Sequence, residues 1–583
     1  MNIIGIQWSD TSTCVAMQDN KVLAAIAEER FTKKKNDMSF PLNSIKYCRS
    51  FFKDKKIDLI TIASKELDYV TALTHFFSIP VKDMIQLQDD YYYPLFYQNK
   101  KKNLLQITKK FWKKNQYPKS YWKNVTPKKI NSFSKDVKDI ISKATGVEKS
   151  KIINIEHHKC HINYGYYTSS FKKKKCLIFT IDGSGDRGIN ATISIGDKGS
   201  IKKFYETKNC IIGRIYSHVT LLLGMKRLEH EYKIMGLAPY AEKKIDKETY
   251  KVFEECLKLD GYKFKFYKKP KDSFFHFQEK LKGKRFDVIA ASLQRWVETM
   301  IVQWVKNTIK IKKINNIVIS GGVAMNAKAM GKLLELKELK KLWVPGASSD
   351  DSTCIGAGME KNVNIDKFID LKSLYLGNNA DEDEDHFIKK IIRNNKFKVV
   401  KYSHDIVAKQ ISLGKVFGRC VGRMEFGARS LGNRAIIADP RNLDIKKKIN
   451  SMIKKRDFWM PFAPTVLDKF AKKYLKNIEK FSSPHMSATY NTTSEGYNHL
   501  KASCHDADKT VRAQILEKKV NPIFYDLISS FQKRTGCGAF LNTSFNLHGY
   551  PIVQSLNDAL FVLINSGLNG LITKNYVILK KNS

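Results

Sequence analysis

Apolar residues in this chain fall into short runs separated by Asp, Asn and Gly, a spacing that predicts strands joined by tight turns. Residues 3–30 carry three such runs: IIGI, then TCVAM after Asp10 and Thr11, then VLAAIAEER after Asp19-Asn20. Residues 176–206 repeat the order: CLIFTI, Asp182-Gly183-Ser184-Gly185-Asp186, ATISIG, Asp197-Lys198-Gly199, and a third strand. A hairpin with Asp and Gly at its first turn presents backbone N–H groups and a carboxylate to a phosphate or its metal. Finding it twice predicts a duplicated α/β fold that clamps a nucleotide between two lobes. The plain alternative is a pair of Asp-Gly turns that only connect strands.

Downstream, NNIVISGGVAMNAKAMGKLLEL at 315–336 reads as strand, Gly321-Gly322 turn and helix. Glycines there let backbone approach a nucleotide at a helix start. Residues 84–150 are aromatic and basic and predict a mostly helical insertion between the two hairpin lobes. Residues 360–386 shift from basic to acidic, which places a boundary there: one domain over 1–368, a second α/β domain over 369–583.

Length and composition fit two or more globular domains. No apolar run approaches the ~20 residues of a membrane span, and the first residues lack a signal-peptide pattern. The expectation is no membrane partner. Ten cysteines without a CxxC pair predict free thiols in a reducing cytoplasm. The net charge of +46 has two readings: a polyanionic partner, or a lysine-rich proteome. The lysines are spread along the whole chain rather than gathered in one tail.

Two regions carry candidate chemistry. In IEHHKCHINYGYY, His157 and His161 stand four apart, on one face of a helix, and with a distant carboxylate such as Asp350 could share a metal. Packing histidines are the alternative. GRMEFGARSLGNRAIIADPRN at 422–442 holds Arg423, Arg429, Arg434 and Arg441 among small residues, a composition suited to bidentate phosphate or carboxylate binding. Lys454, Lys455 and Arg456 follow, then His505, Arg512 and LNTSFNLHGYPIV with Thr543, Ser544 and Asn546.

These strings together resemble the O-carbamoyltransferases of the NodU/CmcH type: EERFTKKKND at 28–37, HHKCH at 157–161, IDGSGD at 181–186, EYKIMGLAPY at 231–240, SGGVAMN at 320–326, GRMEFGARSLGNR at 422–434, and LNTSFN with GYPIV at 541–553. The resemblance implies an N-terminal actin-like ATPase domain related to threonylcarbamoyl transferases, and a C-terminal YrdC-like domain. It implies that carbamoyl phosphate and ATP form carbamoyl adenylate in the second domain. An acceptor hydroxyl on a small molecule would then take the carbamoyl group in the first. By the same resemblance Asp10, Lys35, Glu231, Lys454 and Arg456 are catalytic. Asp182, Gly183, Ser184, Gly321, Gly322, Asn326, Arg423, Arg429, Asn433, His505, Arg512, Thr543, Ser544 and Asn546 bind cofactor. His157, His161 and Asp350 hold a divalent metal, iron in the family, with Mg2+ as a companion of ATP.

The chain departs from the family at Ser9, where His-Asp becomes Ser9-Asp10, and at Asn36, Ala428, Ser430, Met460 and His548–Tyr550. Serine cannot act as a general base at neutral pH, so the base that serves the acceptor is open. Two further readings stand beside the small-molecule transferase. One is carbamoyl-type modification of a nucleic acid, motivated by the charge and the 84–150 segment. The other is a non-catalytic actin-like scaffold.

Overall fold

The computed structural model describes residues 1–66, 79–102, 107, 133–362, 371, 373–393 and 395–581. The lysine- and aromatic-rich stretch at 103–132 lies outside them apart from Ile107. The chain divides into two compact units, one of residues 1–28 and 36–370, the other of residues 29–35 and 371–583.

The first unit contains two five-stranded sheets of identical topology. In one, β1 (Asn2–Trp8), β2 (Ser12–Gln18) and β3 (Lys21–Ala27) form an antiparallel meander. β1 then pairs in parallel with β4 (Leu59–Ile62), and β4 with β5 (Ile152–Asn154). In the other, β6 (Cys176–Ile181), β7 (Ala191–Asp197) and β8 (Ser200–Thr207) form the meander. A small hairpin, β9 (Leu257–Asp260) and β10 (Lys263–Phe266), stands apart. β11 (Asn316–Ser320) pairs in parallel with β6, and β12 (Lys341–Trp343) with β11. The repeat in the sequence is therefore a repeat of architecture. β1 and β6 are buried along their whole length, as strands covered on both faces are.

The helix His157–Tyr167 packs against the helix Thr353–Asn362 at backbone distance. A Cβ on Gly356 would lie 1.9 Å from Cys160 O, so only glycine permits the approach. Part of the 84–150 segment is described and is helical, over Val81–Leu87, Gln88–Tyr92, Tyr93–Tyr97 and Phe133–Thr145.

In the second unit, β13 (Tyr375–Asn379) pairs with β16 (Arg423–Glu425), and β19 (Tyr490–Asn491) with β20 (Thr510–Val511). The other strands are β14 (Phe397–Lys401), β15 (Phe417–Cys420), β17 (Arg434–Ala438), β18 (Ala463–Leu467), β21 (Gln514–Leu516), β22 (Ala539–Ser544), β23 (Gly570–Ile572) and β24 (Tyr576–Lys580). They form one mixed sheet in the order β14-β24-β23-β15-β17-β22-β18-β21.

The segment Glu29–Lys35 belongs to this second unit, whereas a single cut at 368/369 assigned it to the first. Its anchors are polar: Arg30 Nη2 donates to Gly427 O at 3.1 Å, and Lys33 Nζ to Asp558 Oδ2 at 2.6 Å. A single composition break along the chain cannot reveal a seven-residue excursion. All ten cysteines are buried free thiols. Among the described residues no helix is long and apolar enough to cross a membrane.

Candidate functional site

In the first unit, two imidazoles and two carboxylates converge. His157 and His161 lie one turn apart on their helix. Asp182 follows β6, and Asp350 precedes the helix Thr353–Asn362. One ligand atom from each lies within 4.8 Å of all the others. His161 Nε2 is 3.0 Å from Asp182 Oδ2 and 3.3 Å from Asp350 Oδ1. His157 Nε2 is 3.6 Å from Asp350 Oδ1 and 3.2 Å from His161 Nε2. Asp350 and the two histidines are thus brought together, and Asp182, read from sequence as a nucleotide-side residue, joins them.

The electrostatics are those of two buried imidazoles and two half-buried carboxylates that need positive charge. Burial opposes protonation of His157, but Asp350 and Asp182 push it up to about 10. Burial would raise Asp182, yet His157 and His161 hold it well below the usual carboxylate range. Atoms bound at about 2.1 Å to one ion stand about 3.0–4.2 Å apart, so this nitrogen and oxygen set fits a divalent first-row cation.

His158, between the two, does other work. Its Nδ1 lies 2.7 Å from Thr180 Oγ1 and its Nε2 2.9 Å from Ile189 O, and burial pushes its pKa down to about 3. The helix start is fixed by two acids. Glu156 accepts from the N–H groups of His158 and Lys159. Asp186 accepts from the N–H groups of His157 (2.8 Å), Lys65 (3.0 Å) and Glu66 (2.8 Å) and from Ser64 Oγ (2.6 Å). Asp186 thereby ties the loop after β4, the turn after β6 and the helix that bears His157 and His161 to one carboxylate. In the sequence it stands in the Asp182–Asp186 turn with nothing to mark this role.

Asp10 stands just after β1, the counterpart of Asp182 after β6. Burial, then Asp350 and Asp182, push its carboxyl up to about 7, against a hydrogen bond from Ser9. Gln7 Nε2 donates to Ser9 Oγ at 2.7 Å, so Ser9 is oriented from below. Glu231 opens the helix Glu231–Leu237 and accepts from the Leu228 N–H at 2.6 Å; burial raises its pKa. Arg227, unremarked in the sequence, has Tyr92, Glu231 and Asp10 within electrostatic reach.

The Gly321-Gly322 turn is tight against Asp182. Gly321 has φ +102°, and a Cβ there would lie 2.3 Å from Ile181 O. The Gly322 N–H donates to Asp182 Oδ2 at 2.8 Å, and that of Gly183 to Asp182 Oδ1 at 2.5 Å. Ser184 is exposed at the same turn. Asn326 caps the helix Ala327–Leu333 and exchanges two hydrogen bonds with Gln294 at 3.0 Å each.

The second unit gathers cations. Lys454 is 3% exposed, and its Nζ is ringed by Ser544 Oγ (3.1 Å), Asn546 Oδ1 (2.7 Å) and the Ser544 and Asn546 carbonyls. Burial, then Arg456 and Lys35, hold its pKa well below the ordinary lysine value. Arg456 Nη2 donates to Thr543 Oγ1 at 2.9 Å. Arg512 is held down by burial and then by Arg429 and Arg456. Lys35, Arg429, Lys454, Arg456 and Arg512 thus form one neighbourhood of positive charge.

The arginines of 422–442 separate by role. Glu425 Oε1 accepts from the N–H groups of Leu431, Asn433 and Arg434 at 2.7–3.1 Å and folds the loop that carries Arg429. Arg423 donates to the Gly377 and Leu376 carbonyls, Arg434 to four carbonyls, and Arg441 to Asp439. Asn433 bonds Arg423 O and accepts from Arg419 and Asn521. His505 Nδ1 accepts from the Ala507 N–H at 3.2 Å within its own loop. Arg423, Asn433 and His505 each bond backbone, and Arg429 joins the cation group. Sequence spacing could not sort them, because every one is flanked by apolar residues.

Known proteins bear on these two centres. The family description Carbamoyltransferase N-terminus matches residues 2–359, and Carbamoyltransferase C-terminus residues 408–580. An uncharacterised protein of Methanocaldococcus jannaschii is 28% identical over 100% of both chains. Nodulation protein NolNO of Sinorhizobium fredii is 28% identical over 98% of this chain and 79% of its own. The 3'-hydroxymethylcephem-O-carbamoyltransferase of Amycolatopsis lactamdurans is 23% identical over 60% of this chain and 65% of its own. A solved structure of full-length HypF aligns at a TM-score of 0.34 and 12% identity, over 62% of this chain and 55% of that one. With both halves matched, the chain belongs to the carbamoyltransferase family and is an enzyme of that family.

Proposed function

We propose that this protein is an ATP-dependent O-carbamoyltransferase with one half-reaction in each unit. The observation that carries this reading is the convergence of Lys35, Arg429, Lys454, Arg456 and Arg512 in the second unit, a positive neighbourhood suited to a polyanion. There, carbamoyl phosphate, ATP and water yield carbamoyl adenylate with loss of phosphate and pyrophosphate. Nitrogen donation makes a carbamoyl group a poor electrophile, and AMP gives it a leaving group. Lys454 and Arg456 hold the phosphates, and Thr543, Ser544 and Asn546 orient the two cations.

The first unit then transfers the group to the hydroxyl of a small acceptor. In this unit, we propose, the actin-like hairpin turns at Asp10 and Asp182 face the adenylate. Asp10, with its carboxyl near neutrality, takes the acceptor proton. Glu231 and Arg227 orient the acceptor. His157, His161, Asp182 and Asp350 would hold a divalent cation, which supplies charge neutralisation at the departing phosphate.

The test is pyrophosphate release that requires carbamoyl phosphate. The wild-type chain should show it, and Arg456→Ala should lose it, while His161→Ala should keep it and lose carbamoyl transfer. Release that is independent of carbamoyl phosphate, or equal loss in both variants, would sink the two-site scheme.

A further inference from the structure

Arg419 lies within β15 at 1% exposure. Its Nη1 donates to Gly432 O at 2.7 Å and to Asn433 Oδ1 at 2.8 Å, and its Cζ lies 5.0 Å from the Phe524 ring centroid. Its Nε and Nη2 are buried and meet no acceptor among the described residues. Those two N–H groups share one edge of the guanidinium, the edge that grips a two-oxygen anion with parallel hydrogen bonds. Burying a guanidinium without a partner on that edge costs several kcal/mol.

The surroundings do not supply the partner. No carboxylate forms an ion pair with Arg419 among the described residues. Glu425 acts on it from a distance without an ion pair: its Oε1 is bonded to three backbone N–H groups, and its Oε2 is buried without a partner among the described residues. A second buried guanidinium, Arg434, stands in the same neighbourhood. Glu425 is the carboxylate that acts on Arg419, and Arg434 opposes it there. Tyr402 and Tyr375 act on Arg419 electrostatically, and Tyr375 donates to Leu431 O at 2.7 Å. The Tyr402 hydroxyl and His404 Nε2 are buried without a partner among the described residues, and the two rings are 5.1 Å apart. Asp526 also acts on Tyr402, but it pairs with Lys518 at 3.0 Å.

We propose that Arg419 is the anchor of a buried site for a small monovalent oxyanion of the bicarbonate or formate type, gripped by Nε and Nη2 and completed by the Tyr402 hydroxyl. The site lies beneath the loop that carries Arg429, because Arg419 Nη1 holds Gly432 and Asn433 at the end of that loop. Filling it satisfies the open edge of Arg419. No part of the site is used in the transferase reading, and binding alone tests it.

The decisive measurement is a crystal structure of the full chain grown with bicarbonate or formate, beside one grown with bromide. A planar anion bidentate to Arg419 at about 2.7–3.0 Å is expected. Water at that edge in every crystal, or bromide there with no oxyanion under any condition, overturns the assignment. In solution, bicarbonate or formate at fixed pH and ionic strength should raise the thermal midpoint saturably. Arg419→Met should lose the component of that rise that saturates in wild type. If Arg419→Met does not fold, Tyr402→Phe carries the test, with an apparent formate Kd raised at least about fivefold for one lost hydrogen bond. An unchanged response in Tyr402→Phe and in any folded Arg419→Met counts against the site.

Discussion

His157 Nε2 and His161 Nε2 face each other at 3.2 Å, with Asp182 and Asp350 against the same two atoms. Two imidazole nitrogens at that distance require a proton or a metal between them and their carboxylates. A divalent cation that replaces those protons binds with their release. His161→Ala and Asp182→Asn should each cut metal content to background by elemental analysis, with carbamoyl transfer lost alongside. Full metal content in Asp182→Asn would return Asp182 to a purely nucleotide-side role.

Asp186 accepts from three backbone N–H groups and Ser64 Oγ, and one of those N–H groups opens the helix that bears both histidines. Asp186→Asn places an NH2 where donors already point. Losing a group that orients metal-binding side chains costs about 10–100-fold in metal affinity. Competition with a chelator should show that loss, while carbamoyl-phosphate-dependent pyrophosphate release stays intact. A parallel fall in both would mean that the substitution only destabilises the fold.

How much of this was legible in the sequence depends on what each residue touches. The duplicated meander was readable because turn residues and apolar runs recur in the same order. His157 and His161 were readable from helical periodicity. Asp182 is legible as a turn carboxylate, but spacing does not say that it faces His157 and His161. Asp186 acts through contacts 29 to 122 positions away, of which local pattern carries no trace, whereas Glu425 folds its own loop 5 to 9 positions on and reads in sequence like any acid. Glu29–Lys35 crosses units through Arg30 and Lys33, charged residues that look like any exposed run.

Lys454 gives a pH signature. Burial, Arg456 and Lys35 depress its pKa below the unfolded value of about 10.4. Between the depressed value and about pH 10.4 the unfolded chain binds the extra proton, so this group makes stability rise with pH across that window. Below the depressed value both states are protonated, and its penalty is constant. A bound polyphosphate favours the ammonium and draws the proton back. ATP binding measured calorimetrically between pH 8 and 10, in buffers of different ionisation enthalpy, should show proton uptake. Lys454→Met should abolish that uptake, and uptake unchanged in the variant would assign the proton elsewhere.

Arg512 trades stability for binding. Arg429 and Arg456 oppose its charge, and its Nε is buried without a partner among the described residues. Arg512→Met should therefore stabilise the ligand-free protein by about 0.5–2 kcal/mol, the size of gain usual when a functional strain is removed. Denaturant melts would register the gain. The same variant should lose at least tenfold in affinity for carbamoyl phosphate or ATP. A destabilised variant with unchanged affinity would make Arg512 a structural residue.

Ser9 and Asp10 divide the place where the family carries His-Asp, and the structure suggests which of them matters for the proton. Ser9 Oγ accepts from Gln7 Nε2 at 2.7 Å and bonds to Asp10, whose carboxyl stands near neutrality under burial, Asp350 and Asp182. A hydroxyl in that position orients its neighbour, and a carboxylate can take a proton. Ser9→Ala should thus lower the transfer rate less than about tenfold, whereas Asp10→Asn should lower it about 10²–10⁴-fold, the span of general-base catalysis. Both variants should release pyrophosphate at the wild-type rate, since that half-reaction is assigned to the second unit. Single-turnover transfer of labelled carbamoyl to any accepted hydroxyl compound would measure the two rates. A Ser9→Ala defect as large as that of Asp10→Asn would move the proton-accepting role away from Asp10, to a group that depends on Ser9.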